Sequence, residues 1–302
     1  MGLTAEINNK SSVISKWFQS KFNEGVTKII QKHNQELANK QAIASQNGTD
    51  IRLLKPAACY FLRKYISQKL QDSNWVYNTL AYTGNNPLDV LGFVENSADF
   101  GNSITSEAIK CLVLSALEHL GRTKHKHEFI RPLLKASKED KSLEIDDSFR
   151  NKWLTTIEET AAIVELIPRT WENSNIPITG KVVSNATFSL SRRIGGADSD
   201  IIAGDILIGV YTTNEKEPFR LRHFYEAIAY CLLDSDDIYG INQLVWFYSR
   251  HSHAIVYPIN KLFKDISALR QEFKEMIEQN YDCTSFDNNG IDLGKNSKLY
   301  QD

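Results

Sequence analysis

The apolar residues of this chain change their spacing near Pro177, and this change limits the folds that the chain can adopt. Before it, apolar side chains recur every three to four positions, as in a predicted helix at about 150–167. After it, three stretches alternate as β-strands do, at 181–192, 197–203 and 205–213. Helices followed by strands predict an α/β fold with a helical N-terminal half.

The second half has the signals of a mixed sheet. Gly204-Asp205 is a two-residue reversal, so the stretches on either side of it are predicted to pair antiparallel. Pro218 then opens an amphipathic helix, and residues 244–248 are apolar on both faces, as a covered central strand is. We therefore predict a central mixed β-sheet flanked by helices.

The same signals divide the chain into three regions. Pro168 is predicted to end the helix before it, because proline disfavours helical geometry at the preceding residue. We predict a mainly helical region at 1–175 packed on an α/β core at 176–280, followed by a polar tail at 281–302.

Composition excludes several classes of protein. The net charge of −2 provides no overall cationic field, so contact with DNA or RNA would need a local basic patch. The four cysteines are far apart and form no C-x-x-C pair, which indicates reduced thiols and a cytoplasmic protein. No window approaches ~18 uninterrupted apolar residues, so no membrane association is expected.

Two predicted strands carry the residues that bear most on function. Alternate residues of a strand share a face, so Asp198 and Asp200 are expected to project together, as are Gly209 and Tyr211 on the next strand. Paired carboxylates can hold Mg²⁺ or Mn²⁺, and a neighbouring lysine can offset the negative charge that develops on a phosphate. Gly209 and Tyr211 supply neither an acid nor a cation.

These segments resemble the PD-(D/E)XK restriction-endonuclease-like superfamily, and within it RecB-like prokaryotic hypothetical proteins. The segment at 195–200 reads GGADSD, and the segment at 207–213 reads LIGVYTT where that group has an acid and a lysine in a D-x-K pattern. Two further segments are similar, NATF at 185–188 and YEAIAY at 225–230, the second with Glu226 in place of a glutamine. The resemblance implies a restriction-endonuclease-like core.

The resemblance also implies which chemistry is missing. Gly209 stands where the second acid of the group belongs, Tyr211 stands where its lysine belongs, and Cys59 takes the place of an acid on an earlier helix. Asp198 and Asp200 remain as weak ligands for Mg²⁺ or Mn²⁺. We expect a catalytically degenerate protein that requires no cofactor and serves as a nucleic-acid-binding or scaffolding subunit of a prokaryotic complex, of defence or mobile-element type, with a protein partner.

Two alternatives stay open. The first is an active metal-dependent nuclease whose missing groups are supplied from elsewhere, by Glu226, Lys181 or Lys216. It predicts a third carboxylate or a lysine amine within a few ångströms of Asp198 or Asp200. The second alternative is a protein-interaction subunit without a nucleic-acid role.

Basic residues near the hairpin are candidates for a phosphate-binding rim. Their other interpretation is ordinary loop charge. The candidate residues for contact with DNA or RNA are Arg192, Arg193, Arg220, Arg222, His223 and Arg250. A second basic run at 122–127 follows a predicted helix, where cations are favoured by the helix dipole, and we interpret it in that way.

Overall fold

The computed structural model describes residues 2–22, 24–71, 103–123, 125–138 and 147–281. The predicted polar tail lies outside the described residues beyond position 281. Helices in the first half of the chain are α1 (Leu3–Asn8), α2 (Val13–Lys21), α3 (Glu24–Ala38), α4 (Ile51–Leu70), α5 (Ile104–Thr123), α6 (Arg131–Lys138) and α7 (Asp147–Asn173). Helices in the second half are α8 (Leu221–Leu233), α9 (Ile259–Leu262) and α10 (Ile266–Asn280).

The strands form one mixed sheet in the described part of the chain, in the order β1-β2-β3-β4-β5. β3 and β4 are parallel and are connected through α8, whereas the other neighbouring strands are antiparallel. This agrees with the predicted α/β class and with the predicted hairpin at Gly204-Asp205. The strands are β1 (Val182–Ser184), β2 (Ile201–Ala203), β3 (Ile206–Tyr211), β4 (Gln243–Tyr248) and β5 (His253–Pro258).

Helices from the first half of the chain cover both faces of the sheet. On one face, α1, α2, α3, α8 and α10 pack around buried Trp246 and Leu207. On the other face, α4 and α7 pack on Ile208 and Phe247. α5 packs against α4 and α7. The result is a layered arrangement of helix, sheet and helix, in which α4 reaches the sheet directly.

The helix predicted to stop before Pro168 instead continues as α7 to Asn173. Proline inside a helix removes one backbone hydrogen bond and costs roughly 3 kcal/mol. Ile167 and Trp171, on either side of Pro168, are both buried in the core beneath the sheet. Burying two large apolar side chains offsets a cost of that size, so tertiary packing overrides the local signal.

The first predicted strand is also shorter than expected. The regular strand covers only Val182–Ser184, Thr187 forms an isolated bridge with Asp198, and a 3₁₀ helix occupies Ser191–Ile194. Between them Asn185 adopts a positive φ of 49°, which turns the chain out of the sheet. The Arg63 guanidinium donates a hydrogen bond to the side-chain oxygen of Asn185 at 2.7 Å and stabilises this bend. The alternation of apolar residues along a strand cannot predict a contact between residues so distant in sequence.

Candidate functional site

The two strands that carry the predicted site separate at their ends. β2 pairs with β3 as far as Ile201 opposite Ile208, and β3 then continues to Tyr211 beside β4. The backbone N–H of Val210 donates a hydrogen bond to Oδ2 of Asp200 at 2.9 Å. The carboxylate of Asp200 therefore replaces a backbone partner at the point where the strands part, and this fixes its position.

A lysine that the sequence analysis did not single out reaches the same carboxylate. Lys55 lies on α4, and its Nζ is 3.0 Å from Oδ2 of Asp200. Withdrawal from water disfavours the charge on the ammonium, but the negative charges of Asp200 and Glu226 act in the opposite sense and raise the pKa of Lys55. Lys55 is therefore a fixed cation at neutral pH, and its side chain is 45% exposed.

On β3, the Tyr211 side chain packs against the backbone of Gly209. A Cβ atom added at Gly209 would lie 3.0 Å from the Tyr211 hydroxyl oxygen, so the phenol covers the space of an absent side chain. The Tyr211 ring stacks on Tyr248 with centroids 5.2 Å apart and lies 4.3 Å from the His223 ring. Burial, with the nearby charge of Glu226, raises the pKa of Tyr211, so its phenol stays neutral.

These groups surround a small hollow of about 20 Å³, enough for roughly one water molecule or one ion. Glu226 of α8 lines this hollow together with Asp200 and Lys55. Its Oε1 accepts a hydrogen bond from the Thr4 hydroxyl at 2.5 Å. Two carboxylates and one ammonium thus face one small space, approached from helices on both faces of the sheet.

A wider cleft of about 620 Å³ opens beside the hollow. Asp198 and Asp200 both line it, although the strand predicted at 197–203 begins only at Ile201 and both aspartates precede it. Arg122, from the end of α5, lies 3.6 Å from Asp198 and 2.9 Å from Glu118, with its side chain 52% exposed. Burial and the charge of Glu118 raise the pKa of Asp198, while Arg122 acts in the opposite sense.

The charges lining this cleft are nearly balanced. Arg63 extends the set, because its guanidinium donates two hydrogen bonds to the backbone oxygen of Asp200, at 2.7 and 3.2 Å. A space with this balance attracts a polyanion only weakly. The carboxylates are Glu118, Asp198, Asp200 and Glu226, and the cations are Lys55, Arg63 and Arg122.

The six residues of the predicted phosphate-binding rim lie away from the hollow and the cleft, and none of them lines either space. Arg192 is exposed on the 3₁₀ helix, and Arg193 bonds the backbone oxygen of Tyr281 at 3.4 Å. Arg220 and Arg222 are exposed at the start of α8, where Arg220 forms an ion pair with Glu215.

Two members of that set are buried and do not present charge to solvent. The His223 ring packs inside the fold, and burial lowers its pKa to about 3, with help from neighbouring cations. Arg250 is 2% exposed and pairs with the buried carboxylate of Glu159. For His223 and Arg250 the interpretation as phosphate ligands is wrong, because neither side chain can reach a bound polyanion.

The relocated groups proposed from sequence are found only in part. Glu226 lies at the hollow, whereas Lys181 and Lys216 are exposed residues that line neither space. Lys55 supplies the amine instead. One sequence signal could have indicated Lys55. It lies four residues before Cys59, the position of an acid in the family pattern, and residues i and i+4 of a helix share a face.

The residues at the site are a poor fit for a resident Mg²⁺ or Mn²⁺ ion, the metals implied by the resemblance. Within the described residues, no three His, Cys, Asp or Glu side chains come close enough together to form a metal-binding group. Asp200 and Asp198, the predicted ligands, already have Lys55 and Arg122 as partners at 3.0 and 3.6 Å. Each carboxylate that a metal would need is therefore paired with a cation of the protein itself.

Comparison with protein-family models, with curated proteins and with solved structures gives no match for this chain. The resemblance of its motifs therefore depends on the motif residues themselves. None of the helices in the described ranges has both the length and the apolar composition needed to cross a bilayer.

The buried His223 gives the fold a dependence on pH. The folded pKa of about 3 lies below the ordinary value of 6.5, so the unfolded chain binds a proton first as pH falls. We expect His223 to lower the free energy of unfolding progressively between pH 6.5 and about 3, by roughly 2–4 kcal/mol in total. Urea titrations at several pH values measure this.

The matched control is His223→Gln, which keeps polar atoms at the site without a group that titrates. Its free energy of unfolding should fall less steeply with acid than that of the native chain. Equal slopes for the two proteins would contradict this role of His223, since the other histidines are unchanged in both.

Proposed function

We propose that this protein has a restriction-endonuclease-like core whose hydrolytic chemistry has been lost, and that it acts as a nucleic-acid-binding or scaffolding subunit of a prokaryotic complex. The motif residues quoted above support the family. The mixed sheet between helix layers, with Asp198 and Asp200 in a cleft where β2 and β3 part, is the arrangement that this family implies. The proposed setting in defence or mobile-element systems comes from the resemblance alone.

One observation supports the proposed loss of hydrolytic activity. The three positions at which the chain departs from the family pattern come together around one carboxylate. Gly209 and Tyr211 line the hollow with Asp200, and Cys59 lines the adjoining cleft. Burial, reinforced by the charge of Asp200, raises the pKa of the Cys59 thiol, so it contributes no anion. These three positions therefore supply neither the two acids nor the cation of the family pattern, although Lys55 and Glu226 reach the hollow from other elements.

A second observation favours the alternative of an active enzyme. The Lys55 amine lies 3.0 Å from Asp200, and Glu226 faces the same hollow, which is the geometry that relocated catalytic groups would have. On this alternative Asp200 and Glu226 would hold Mg²⁺ or Mn²⁺, which polarises a phosphate and activates water, and Lys55 would offset charge on the phosphate. The ion pair between Lys55 and Asp200 weighs against it, because it occupies the ligand that such an ion needs.

The test compares cleavage with binding. Purified protein is incubated with labelled single-stranded DNA, duplex DNA and RNA in 10 mM Mg²⁺ or Mn²⁺, beside an Asp200→Asn variant, and binding is measured by fluorescence anisotropy over a range of salt concentrations. We expect no cleavage above that of the variant. Cleavage that is lost in Asp200→Asn would establish the active alternative.

Binding separates the remaining candidates. Because the cleft is nearly balanced in charge, nucleic acid would contact exposed arginines, and Arg222→Glu should weaken binding and reduce the salt dependence by about one phosphate contact. Lys135→Glu on α6 is the matched charge reversal, since α6 packs with α4, α5 and α7 rather than α8. Absence of salt-dependent binding would leave the role of a protein-interaction subunit.

A further inference from the structure

The ion pair between Lys55 and Asp200, at the point where β2 and β3 separate, has the charge arrangement of an occupied cation site. Oδ2 of Asp200 accepts from two donors, Nζ of Lys55 at 3.0 Å and the backbone N–H of Val210 at 2.9 Å. Glu226 lines the same hollow. A positive charge paired with one carboxylate and facing a second is the electrostatic situation that a bound metal ion produces in other sites.

We propose that the Lys55 ammonium is the resident cation of this site and masks a latent divalent-cation site formed by Asp200 and Glu226. This inference rests on the proposed loss of hydrolytic function and explains how the remaining acids are kept stable without a metal. The chain neutralises them with a residue from α4. Removing that residue should uncover an ability to bind metal that the native protein lacks.

The Lys55 ammonium and a divalent ion would compete for the same carboxylate. An ammonium 3.0 Å from Asp200 repels a divalent ion placed beside it. Mg²⁺ and Mn²⁺ need only one or two protein carboxylates when water fills their other positions. Asp200 and Glu226 also line the wider cleft of about 620 Å³, which has room for that water once Lys55 is gone.

Two neighbours keep the ammonium in place. Tyr211 lies beneath it, with Nζ 5.8 Å from the ring centroid, a distance at which a cation is attracted to the ring face. Gly209 lets the Tyr211 ring lie there, because a Cβ atom at position 209 would come within 3.0 Å of the Tyr211 hydroxyl oxygen. The glycine and the tyrosine at these two positions therefore help to hold Lys55.

Metal binding by the full chain tests this inference directly. The probes are Mn²⁺, followed by electron paramagnetic resonance of the free ion, and Tb³⁺, whose luminescence is excited through nearby tyrosines. Tyr211 and Tyr230 both line the hollow and serve as built-in donors. We expect Lys55→Met to bind both ions at least about tenfold more tightly than the native protein, because it removes a like charge from the site.

Three variants keep the test specific. Lys55→Arg retains the positive charge and should not gain affinity. Lys55→Met combined with Asp200→Asn should lose the gain. Lys64→Met removes another α4 cation, one that pairs with Glu107 away from the hollow, and should leave metal binding unchanged. Circular dichroism and thermal unfolding establish that each variant is folded before binding is measured.

The outcomes separate this inference from the proposed function. No gain of affinity in folded Lys55→Met overturns the inference and leaves the proposed loss of activity intact. Tight Asp200-dependent binding by the native protein without cleavage also overturns it. Native metal binding accompanied by Asp200-dependent cleavage overturns the proposed function as well. A gain confined to Lys55→Met and abolished by Asp200→Asn supports both.

Discussion

In a Lys55→Met background, where no ammonium occupies Asp200, the double variant Gly209→Asp/Tyr211→Lys is expected to cleave nucleic acid in the presence of Mn²⁺, whereas the native chain is not. It adds an acid and a cation on the strand beside Asp200, at the positions where the family pattern has them. Asp200 remains fixed by the Val210 N–H at 2.9 Å, so the new carboxylate would join an anchored partner. A positioned metal with an adjacent cation supplies several kcal/mol of transition-state stabilisation, which makes even partial recovery measurable above zero.

The controls for this variant follow from the contact between its two positions. Gly209→Asp alone should remain inactive and be less stable, because its Cβ would press on the Tyr211 hydroxyl at 3.0 Å. Asp200→Asn added to the double variant should abolish cleavage. A folded double variant that binds Mn²⁺ yet leaves every substrate intact would contradict the idea that these two residues account for the loss.

The hairpin could be predicted from sequence because its signals are local. Alternating apolar residues mark both strands, and Gly204 at the reversal has a φ of 59°, which glycine adopts without strain. A side chain at Gly204 would collide with the Thr179 carbonyl, so this turn requires glycine. Register and turn were therefore encoded within about a dozen residues.

Lys55 could not be predicted in the same way. It meets Asp200 only because α4 packs on the face of the sheet opposite α8, with its apolar side chains buried in that core. That packing places the first half of α4 where β2 and β3 separate. No sequence pattern near Asp200 indicates this placement. The position of Arg122 at the end of a helix accounts for its charge locally, and no sequence pattern links it to Asp198, from which it lies 3.6 Å away.

Closeness in sequence does not place the predicted arginines on one exposed surface, and Arg250 shows why. Arg250 follows the end of β4, and its surroundings read as a polar turn. Its partner is Glu159 in the middle of α7, and the guanidinium also donates to the backbone oxygen of Ile43 at 3.1 Å. Polar groups from three distant segments, two of them charged, thus satisfy one another inside the fold.

Replacing Arg250 with methionine is expected to destabilise the protein by roughly 3–5 kcal/mol, the largest loss of stability we predict for a single substitution. Glu159 is fully buried, and without the guanidinium it would be left as an uncompensated charge. The Gln46 N–H and the Thr49 hydroxyl, which donate to Glu159 at 2.9 and 2.7 Å, are neutral and would not compensate its charge. Urea unfolding of native and variant protein measures the difference.

The double variant Arg250→Met/Glu159→Met shows whether the loss comes from the stranded charge. Removing both ions replaces a buried pair with apolar side chains, a change that is often close to neutral. We therefore expect the double variant to be more stable than Arg250→Met alone. Equal or greater destabilisation would mean that Arg250 acts mainly through its bonds to Ile43 and to the end of β3, where its Nε donates to the backbone oxygen of Thr212. In that case Arg250 would stabilise the fold by tying its backbone segments together, and the pairing of charge with Glu159 would be secondary.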